Sequence, residues 1–175
     1  MRRPSLVVSV VAGLAAFASP ARAGGLGVGA GVVDVENAPE SSLFLTGNIR
    51  FKLLGPINLE PEVGYWRETE TVAVVERRSE DLSLGVNGLL VAPLHPIEIF
   101  AGAGLGAHFI DRSAGVAGLT SESDETRTGV HLLAGLDFKV SDTLNLFGAA
   151  RRDSFGDDAE EPAQTKIYGG LRFKF

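Results

Sequence analysis

Apolar and polar residues alternate along most of this chain. The cleanest stretch is 42–54. There Leu43, Leu45, Ile49, Phe51 and Leu53 share one face with Gly47, and Phe44, Thr46, Asn48, Arg50 and Lys52 share the other. A period of two residues predicts a β-strand with one apolar and one polar face. The third segment sets Ile57, Leu59, Val63 and Tyr65 against Asn58, Glu60, Glu62 and Trp66; the fourth sets Leu82, Leu84, Val86 and Leu90 against Ser83, Gly85 and Asn87. The fifth and sixth continue the pattern, with Glu98, Gly102, Gly104, Gly106 and His108, then His131, Gly135, Asp137 and Lys139, on their polar faces. Eight segments result, near 25–36, 42–54, 57–68, 80–92, 97–111, 127–140, 143–153 and 165–175. Two are weaker. Val32-Val33 breaks the phase of the first, and Phe147 sits on the polar face of the seventh beside Asn145 and Arg151.

The connections alternate in length. Leu54-Gly55-Pro56, Pro93-Leu94-His95-Pro96 and Ser141-Asp142 read as short turns rich in turn formers. Between them lie longer stretches, read as loops at about Thr69–Ser79, Arg112–Thr126 and Ser154–Gln164, with a shorter one at Asn37–Ser41. Short turns at one end and long loops at the other describe an up-and-down transmembrane β-barrel of eight antiparallel strands, an all-β fold. An even strand number returns both termini to the short-turn side.

Alternation alone does not say which face is inside. A soluble barrel turns its apolar face inward, and a membrane barrel inverts it. Glycines crowd the polar face beside Arg, Lys and Glu, which suits a narrow lumen. Aromatics on the apolar face gather near strand ends: Phe51, Phe138, Phe173 and Phe175 at the short turns, Tyr65 and Phe109 toward the long loops. Two such girdles are expected at the two membrane interfaces. Gly64-Tyr65-Trp66 fits the G-x-W pattern of soluble lipocalin barrels, but it lies in the third strand rather than before the first.

The ends support export to an outer membrane. Met1-Arg2-Arg3, the apolar run Leu6–Phe17 and Ala21-Arg22-Ala23 form a secretory signal peptide over residues 1–23, with cleavage expected between Ala23 and Gly24. The apolar run is too short to span a membrane as a helix. Losing Arg2, Arg3 and Arg22 takes the net charge from −6 to −9, which disfavours nucleic acid as a partner. The chain has no Cys, so disulfides, thiolate metal sites and acyl-Cys anchors are excluded. The terminal strand places Tyr168, Gly170, Phe173 and Phe175 at a spacing that resembles the signal read by the bacterial barrel-assembly machinery.

The chain as a whole resembles the small eight-stranded bacterial outer-membrane β-barrel domain family, of the OmpA/OmpX kind. Glu60-Pro61-Glu62-Val63-Gly64-Tyr65 resembles its third strand, Phe100-Ala101-Gly102-Ala103-Gly104-Leu105-Gly106 its fifth, and Gly135-Leu136-Asp137-Phe138 its sixth. The resemblance covers essentially all of Gly24–Phe175. It implies location and architecture more than activity.

Candidate chemistry is sparse. Gly102-Ala103-Gly104-Leu105-Gly106-Ala107 matches a dinucleotide fingerprint, but strand alternation continues where that site needs a helix. Of the three histidines, His95 lies between prolines in a turn. His108 and His131 fall on the polar face of neighbouring strands without a third ligand at defined spacing, so no metal or cofactor is expected. No histidine on the apolar face has a serine beside it as in lipid-modifying barrels, so no catalytic residue is assigned. Charges inside a narrow lumen must pair, and an ionic network is expected among Arg50, Lys52, Glu60, Glu62, Glu98, Asp137, Lys139, Arg151, Arg172 and Lys174, with Arg50 and Lys52 against Glu60 and Glu62. The acidic runs Ser121–Glu125 and Asp157–Glu161 read as solvated loops, with lipopolysaccharide phosphates, bridged by divalent cations or met by Glu76-Arg77-Arg78, as the sharper alternative. The expected role is a monomeric structural or surface-interaction barrel in the outer membrane, with a narrow pore and a lipid-modifying enzyme as the alternatives.

Overall fold

The computed structural model describes residues 24–36, 41–72, 75–116, 119–156 and 163–175. The expected signal peptide and its cleavage site at Ala23 lie outside them. Eight strands follow one another: β1 (Gly24–Val35), β2 (Ser42–Leu54), β3 (Ile57–Val72), β4 (Val75–Leu94), β5 (Ile97–Val116), β6 (Leu119–Lys139), β7 (Leu144–Phe155) and β8 (Gln164–Lys174). Each pairs antiparallel with the next, and β8 pairs with β1, so the sheet closes into a barrel. Closure satisfies the backbone of the wall without water, which is what a strand in hydrocarbon requires.

The register sets the width. One cross-strand row leaves β1 at Asp34 and passes Thr165, Arg152, Leu132, Ala103, Gly88, Leu59 and Phe51. It returns to β1 at Gly24, ten positions from where it left. Eight strands with this stagger enclose an interior just wide enough for their own side chains.

The polar face points in. Arg151, Glu60, Glu62, Asp137 and Lys166 are buried, whereas Leu105 and Leu132 are both 68% exposed on the outer wall. The barrel is therefore inverted relative to a soluble one. Phe138, Phe173 and Phe175 are exposed at the short-turn end, and Tyr65 and Phe109 at the other, as two girdles require. The turn at Gly55 adopts φ +55°, a left-handed conformation that glycine meets without strain.

Two sequence expectations change. First, Thr69–Ser79 and Arg112–Thr126 are largely strand rather than loop. The β3–β4 ladder runs to Val72↔Val75 and the β5–β6 ladder to Val116↔Leu119, while Val75↔Val116 joins the two hairpins. Beyond the membrane both faces of a strand meet water, so the alternation that reveals a half-buried strand disappears. Second, β1 has no phase break. Leu26, Val28 and Val32 face outward, and Val33 is a buried apolar residue of the lumen. It packs in a cluster with Phe44, Trp66, Leu89, Phe100, Leu133, Phe147, Ala149 and Tyr168.

Glycines on the inner face make room for these large groups. A β-carbon at Gly29 would come within 2.9 Å of Phe147 Cζ, whereas one at Gly148, on the outer face, would meet nothing within 4 Å. Gly29→Leu is expected to destabilise the barrel by about 1–3 kcal/mol through overpacking, and Gly148→Leu to stay within about 0.5 kcal/mol of wild type. Urea titrations in lipid vesicles measure both. Leu45→Arg, on the outer wall, is expected to cost up to about 2–4 kcal/mol in the same assay, and a neutral result would return the soluble barrel to consideration.

Candidate functional site

The lumen is filled by charges arranged in layers. At the short-turn end, the Arg50 guanidinium donates from Nε to Glu60 at 2.7 Å and from Nη1 to Asp137 at 2.6 Å. Arg172 reaches the same two carboxylates, at 3.0 Å from Asp137 and 3.2 Å from Glu60, and donates to Asn48 Oδ1 at 3.2 Å. Two cations and two anions thus neutralise one another. Below them Lys174 pairs with Glu98 at 2.9 Å, half-buried at the rim.

Aromatic rings separate this quartet from the next layer. Arg50 stacks over Phe100 at 4.2 Å and Arg172 over Phe147 at 5.0 Å. Phe147 meets Tyr168 edge-on at 6.3 Å, and Tyr168 meets Phe44 in the same way at 5.3 Å. Such contacts hold a desolvated guanidinium by the negative face of the ring.

The second quartet lies beyond the rings. Arg151 donates to Glu62 and to Asp153, each at 2.6 Å. Lys166 Nζ lies 2.7 Å from Asp153 Oδ2, and the Tyr168 hydroxyl donates to Glu62 at 3.3 Å. His131 is held between the Arg151 guanidinium at 3.1 Å and the side chain of Asn87. Nearest the outer mouth, Trp66 Nε1 donates to Asp81 Oδ2 at 3.1 Å, and His108 Nδ1 meets the same oxygen at 2.9 Å. The Phe155 ring closes over His108 edge-on at 4.8 Å.

The structure brings together Arg50, Glu60, Asp137 and Arg172, a second pair Arg151 and Glu62, and a third pair Glu98 and Lys174. It corrects the partner expected for Glu62. Arg50 and Lys52 stand on the strand next to Glu62, yet its carboxylate reaches across the lumen to Arg151, because a narrow barrel makes opposite walls as close as neighbouring strands. Lys52 is exposed at the rim, and Lys139 pairs with Asp142 of the β6–β7 turn at 2.7 Å. Neither joins the network. His108 and His131 are hydrogen-bonding groups of the lumen, on the polar face where the sequence reading puts them, whereas Asp153, Lys166 and Asp81 take places that it did not assign. Their inward phase was visible, but which carboxylate meets which cation across the lumen was not.

Other candidates resolve by position. Strand β5 continues through the glycine-rich segment to Val116, so no helix follows it to hold a pyrophosphate. His108 and His131 are fully enclosed, and among the described residues no group of three or more His, Cys, Asp or Glu is placed to hold a metal ion. Tyr168 and Gly170 face the lumen, and Phe173 and Phe175 the outside. At the seam, Gly24 N donates to Phe175 O at 3.0 Å and Phe175 N to Gly24 O at 3.2 Å.

Outside the wall, β3–β6 rise past Tyr65 and Phe109 as one four-stranded blade. Arg67 and Arg78 meet Glu80, the former at 3.5 Å. Glu125 pairs with Arg127 at 2.6 Å and with Arg112 at 3.6 Å. The hydrogen bond from Arg127 holds the Glu125 carboxyl below the usual carboxylate range, so it stays ionised at neutral pH. The acidic run Ser121–Glu125 is part of β6 rather than a loop, and Asp157–Glu161 lies outside the described residues.

The pairing of Glu62 with Arg151 is open to a double-mutant cycle. Glu62→Met or Arg151→Met alone is expected to cost about 3–5 kcal/mol, because each strands a buried opposite charge. The double substitution is expected to cost less than the sum by about 0.5–3 kcal/mol in vesicle unfolding titrations; strict additivity would remove the pair from this account.

The fold has close counterparts. Neisserial surface protein A matches with a TM-score of 0.66 at 14% identity, over 87% of this chain and 96% of that one. Ail, the attachment invasion locus protein of Yersinia pestis, matches with a TM-score of 0.65 at 11% identity, over 88% and 99%. A major outer membrane protein from Thermus thermophilus matches with a TM-score of 0.65 at 11% identity, over 87% and 99%. No curated protein matches the sequence. A family model for the outer membrane protein β-barrel domain matches residues 5–175. With the inverted eight-stranded barrel already in place, that match spans nearly the whole chain, and the protein belongs to the outer membrane protein β-barrel domain family.

Proposed function

We propose that this protein is a sealed, non-catalytic barrel that carries a surface-interaction blade out of the outer membrane. The observation that carries this reading is the pair of open edges on the blade. The β2–β3 ladder reaches no further than Phe44↔Trp66, and the β6–β7 ladder no further than Gly129↔Phe155. Beyond those points β3 (67–72) and β6 (119–128) each have a ladder partner on one side only, among the described residues. An exposed edge strand offers its backbone donors and acceptors to a strand of another protein. The charges along the edges oppose indiscriminate pairing and favour a partner of complementary charge. Ail, named for attachment and invasion, has the same fold, which agrees with a role in contact with other surfaces.

The layered ion pairs argue against the narrow-pore alternative. Both quartets are desolvated and internally neutral, so an ion crossing the lumen would have to break them. Two enclosed histidines without access to the bilayer argue against the lipid-modifying one. In this reading the chain is exported with cleavage between Ala23 and Gly24, is a monomer in outer-membrane lipid, and presents Tyr168, Gly170, Phe173 and Phe175 to the assembly machinery.

Trimming the blade tests the reading. Replacing residues 68–79 and 112–125 by short turns leaves every lumen pair described above except the Asp81 contacts next to the cut. The trimmed barrel is expected to fold and reach the membrane, while attachment of expressing bacteria to host cells or to immobilised matrix proteins falls to the level of the empty strain. Planar-bilayer recordings of the full chain are expected to show no steady single-channel conductance. Unchanged attachment after trimming would sink the blade, and a regular conductance step would restore the pore.

A further inference from the structure

On the short-turn side the lumen ends in a cup. A cavity of about 460 Å³ opens there, with Arg50, Arg172 and Asp137 of the first quartet as its floor and Lys52, Glu98 and Lys174 around it. Val91 and Pro93 of β4 supply an apolar wall. On β1, Gly25 stands in register between Arg50 of β2 and Lys174 of β8 and leaves that side bare. A β-carbon there would come within 3.0 Å of Arg172 Cγ.

Two imbalances mark the cup. The first is charge. Glu60 and Asp137 neutralise Arg50 and Arg172, and Glu98 neutralises Lys174. Lys52 has no ion-pair partner among the described residues. Four cations against three carboxylates leave the side chains of the cup with one positive charge in excess. The second imbalance is in hydrogen bonding. Arg50, Arg172 and Asp137 are all more than nine-tenths buried, yet Arg50 Nη2, Arg172 Nε and Asp137 Oδ1 have no hydrogen-bond partner among the described residues. These atoms are close together. Both guanidinium groups donate from Nη1 to Asp137 Oδ2, at 2.6 and 3.0 Å, and each unpaired atom is joined through a single carbon to an atom of those two bonds. Buried donors and acceptors without partners cost free energy, which a ligand that supplies the partners recovers.

We propose that the cup binds a small α-hydroxy acid from the short-turn side of the barrel. Its carboxylate accepts from Arg50 Nη2 and Arg172 Nε, its hydroxyl donates to Asp137 Oδ1, and its carbon body lies on Val91 and Pro93. A single carboxylate cancels the excess charge, whereas a phosphate dianion would overshoot it. A carboxylate with no donor beside it would leave Asp137 Oδ1 unpaired. Apolar walls with a few convergent polar groups are the usual form of a small-molecule site. The inference rests on the inner mouth and on no residue of the blade, so neither reading decides the other.

The experiment is an NMR titration of the full chain, refolded in an uncharged maltoside detergent, with three matched probes. Leucate carries both the charge and the hydroxyl, isocaproate lacks the hydroxyl, and the amide of leucic acid lacks the charge. Leucate is expected to shift the backbone amide signals of Gly25 and Asn58 saturably, with a Kd on the order of 1 mM. Isocaproate is expected to bind about tenfold more weakly, the scale of one hydrogen bond to a charged group, and the amide to leave the signals unmoved. Val91→Phe, which fills the cup, and Lys52→Glu, which reverses the excess charge at an exposed rim position, are each expected to abolish the leucate shifts. The difference in gel mobility between unheated and heated samples reports folding. If Val91→Phe does not fold, Lys52→Glu decides alone. No saturable shift with leucate, isocaproate binding as tightly as leucate, or leucate shifts unchanged in Lys52→Glu would overturn the proposal.

Discussion

Hydrocarbon surrounds the wall, and the rest of the molecule follows from that. Outward positions that meet lipid are mostly apolar, and every strand alternates, so most of the polar half of the sequence is driven into the lumen. Eight strands at a stagger of ten leave that lumen no wider than its own side chains. Charges confined there cannot keep their hydration. The members of the two quartets persist because each finds an opposite charge within hydrogen-bond reach, and Asp81 because Trp66, His108 and Gln164 surround it. The ionic quartets are thus a consequence of where the apolar residues must go.

The same narrowness explains the glycines and the aromatics. An arginine crossing the barrel needs a bare wall to lie against. The inner faces of β1 and β5 supply room of this kind for several large groups: Gly25 lies against Arg172, Gly29 against Phe147, and Gly104 against His131 and Asn87. Rings then fill what the charges leave, and they keep each quartet separately neutral. Phe100 and Phe147 lie against the guanidinium groups of the inner quartet, and Tyr168 bridges by its hydroxyl to Glu62 of the outer one. Distance along the chain means little inside such a tube. Glu62 and Arg151 are separated by 89 residues and still share a hydrogen bond.

What the sequence disclosed, and what it hid, divides along the same line. The eight strands, the inversion and the inward set that includes Arg50, Glu60, Asp137 and Arg172 were legible, because each depends only on alternation against lipid. The partner of Glu62 was not, since period-two patterning reports a face and says nothing of what stands across the lumen. Val33 looked like an error of phase because alternation presumes a polar interior, and here the interior includes an apolar layer. The blade was hidden for the opposite reason. Thr69–Ser79 and Arg112–Thr126 have water on both faces, so nothing selects apolar residues at every second position.

The wall and the blade therefore obey different solvents, and their duties separate accordingly. Within the membrane, β1 and β8 close the sheet, and the lumen couples β2 to β8 through charged side chains, while β1 lines it with glycines. Above it, among the described residues, the ladders continue on four strands, held by backbone bonds and by exposed pairs such as Arg127 with Glu125, which add little stability each. The blade consequently depends on the barrel for its order, whereas no quartet in the barrel draws a member from the blade. Change in the blade is cheap for the fold, and change in the lumen is not. A protein built this way can vary the surface it shows to the outside while keeping the scaffold that holds it there.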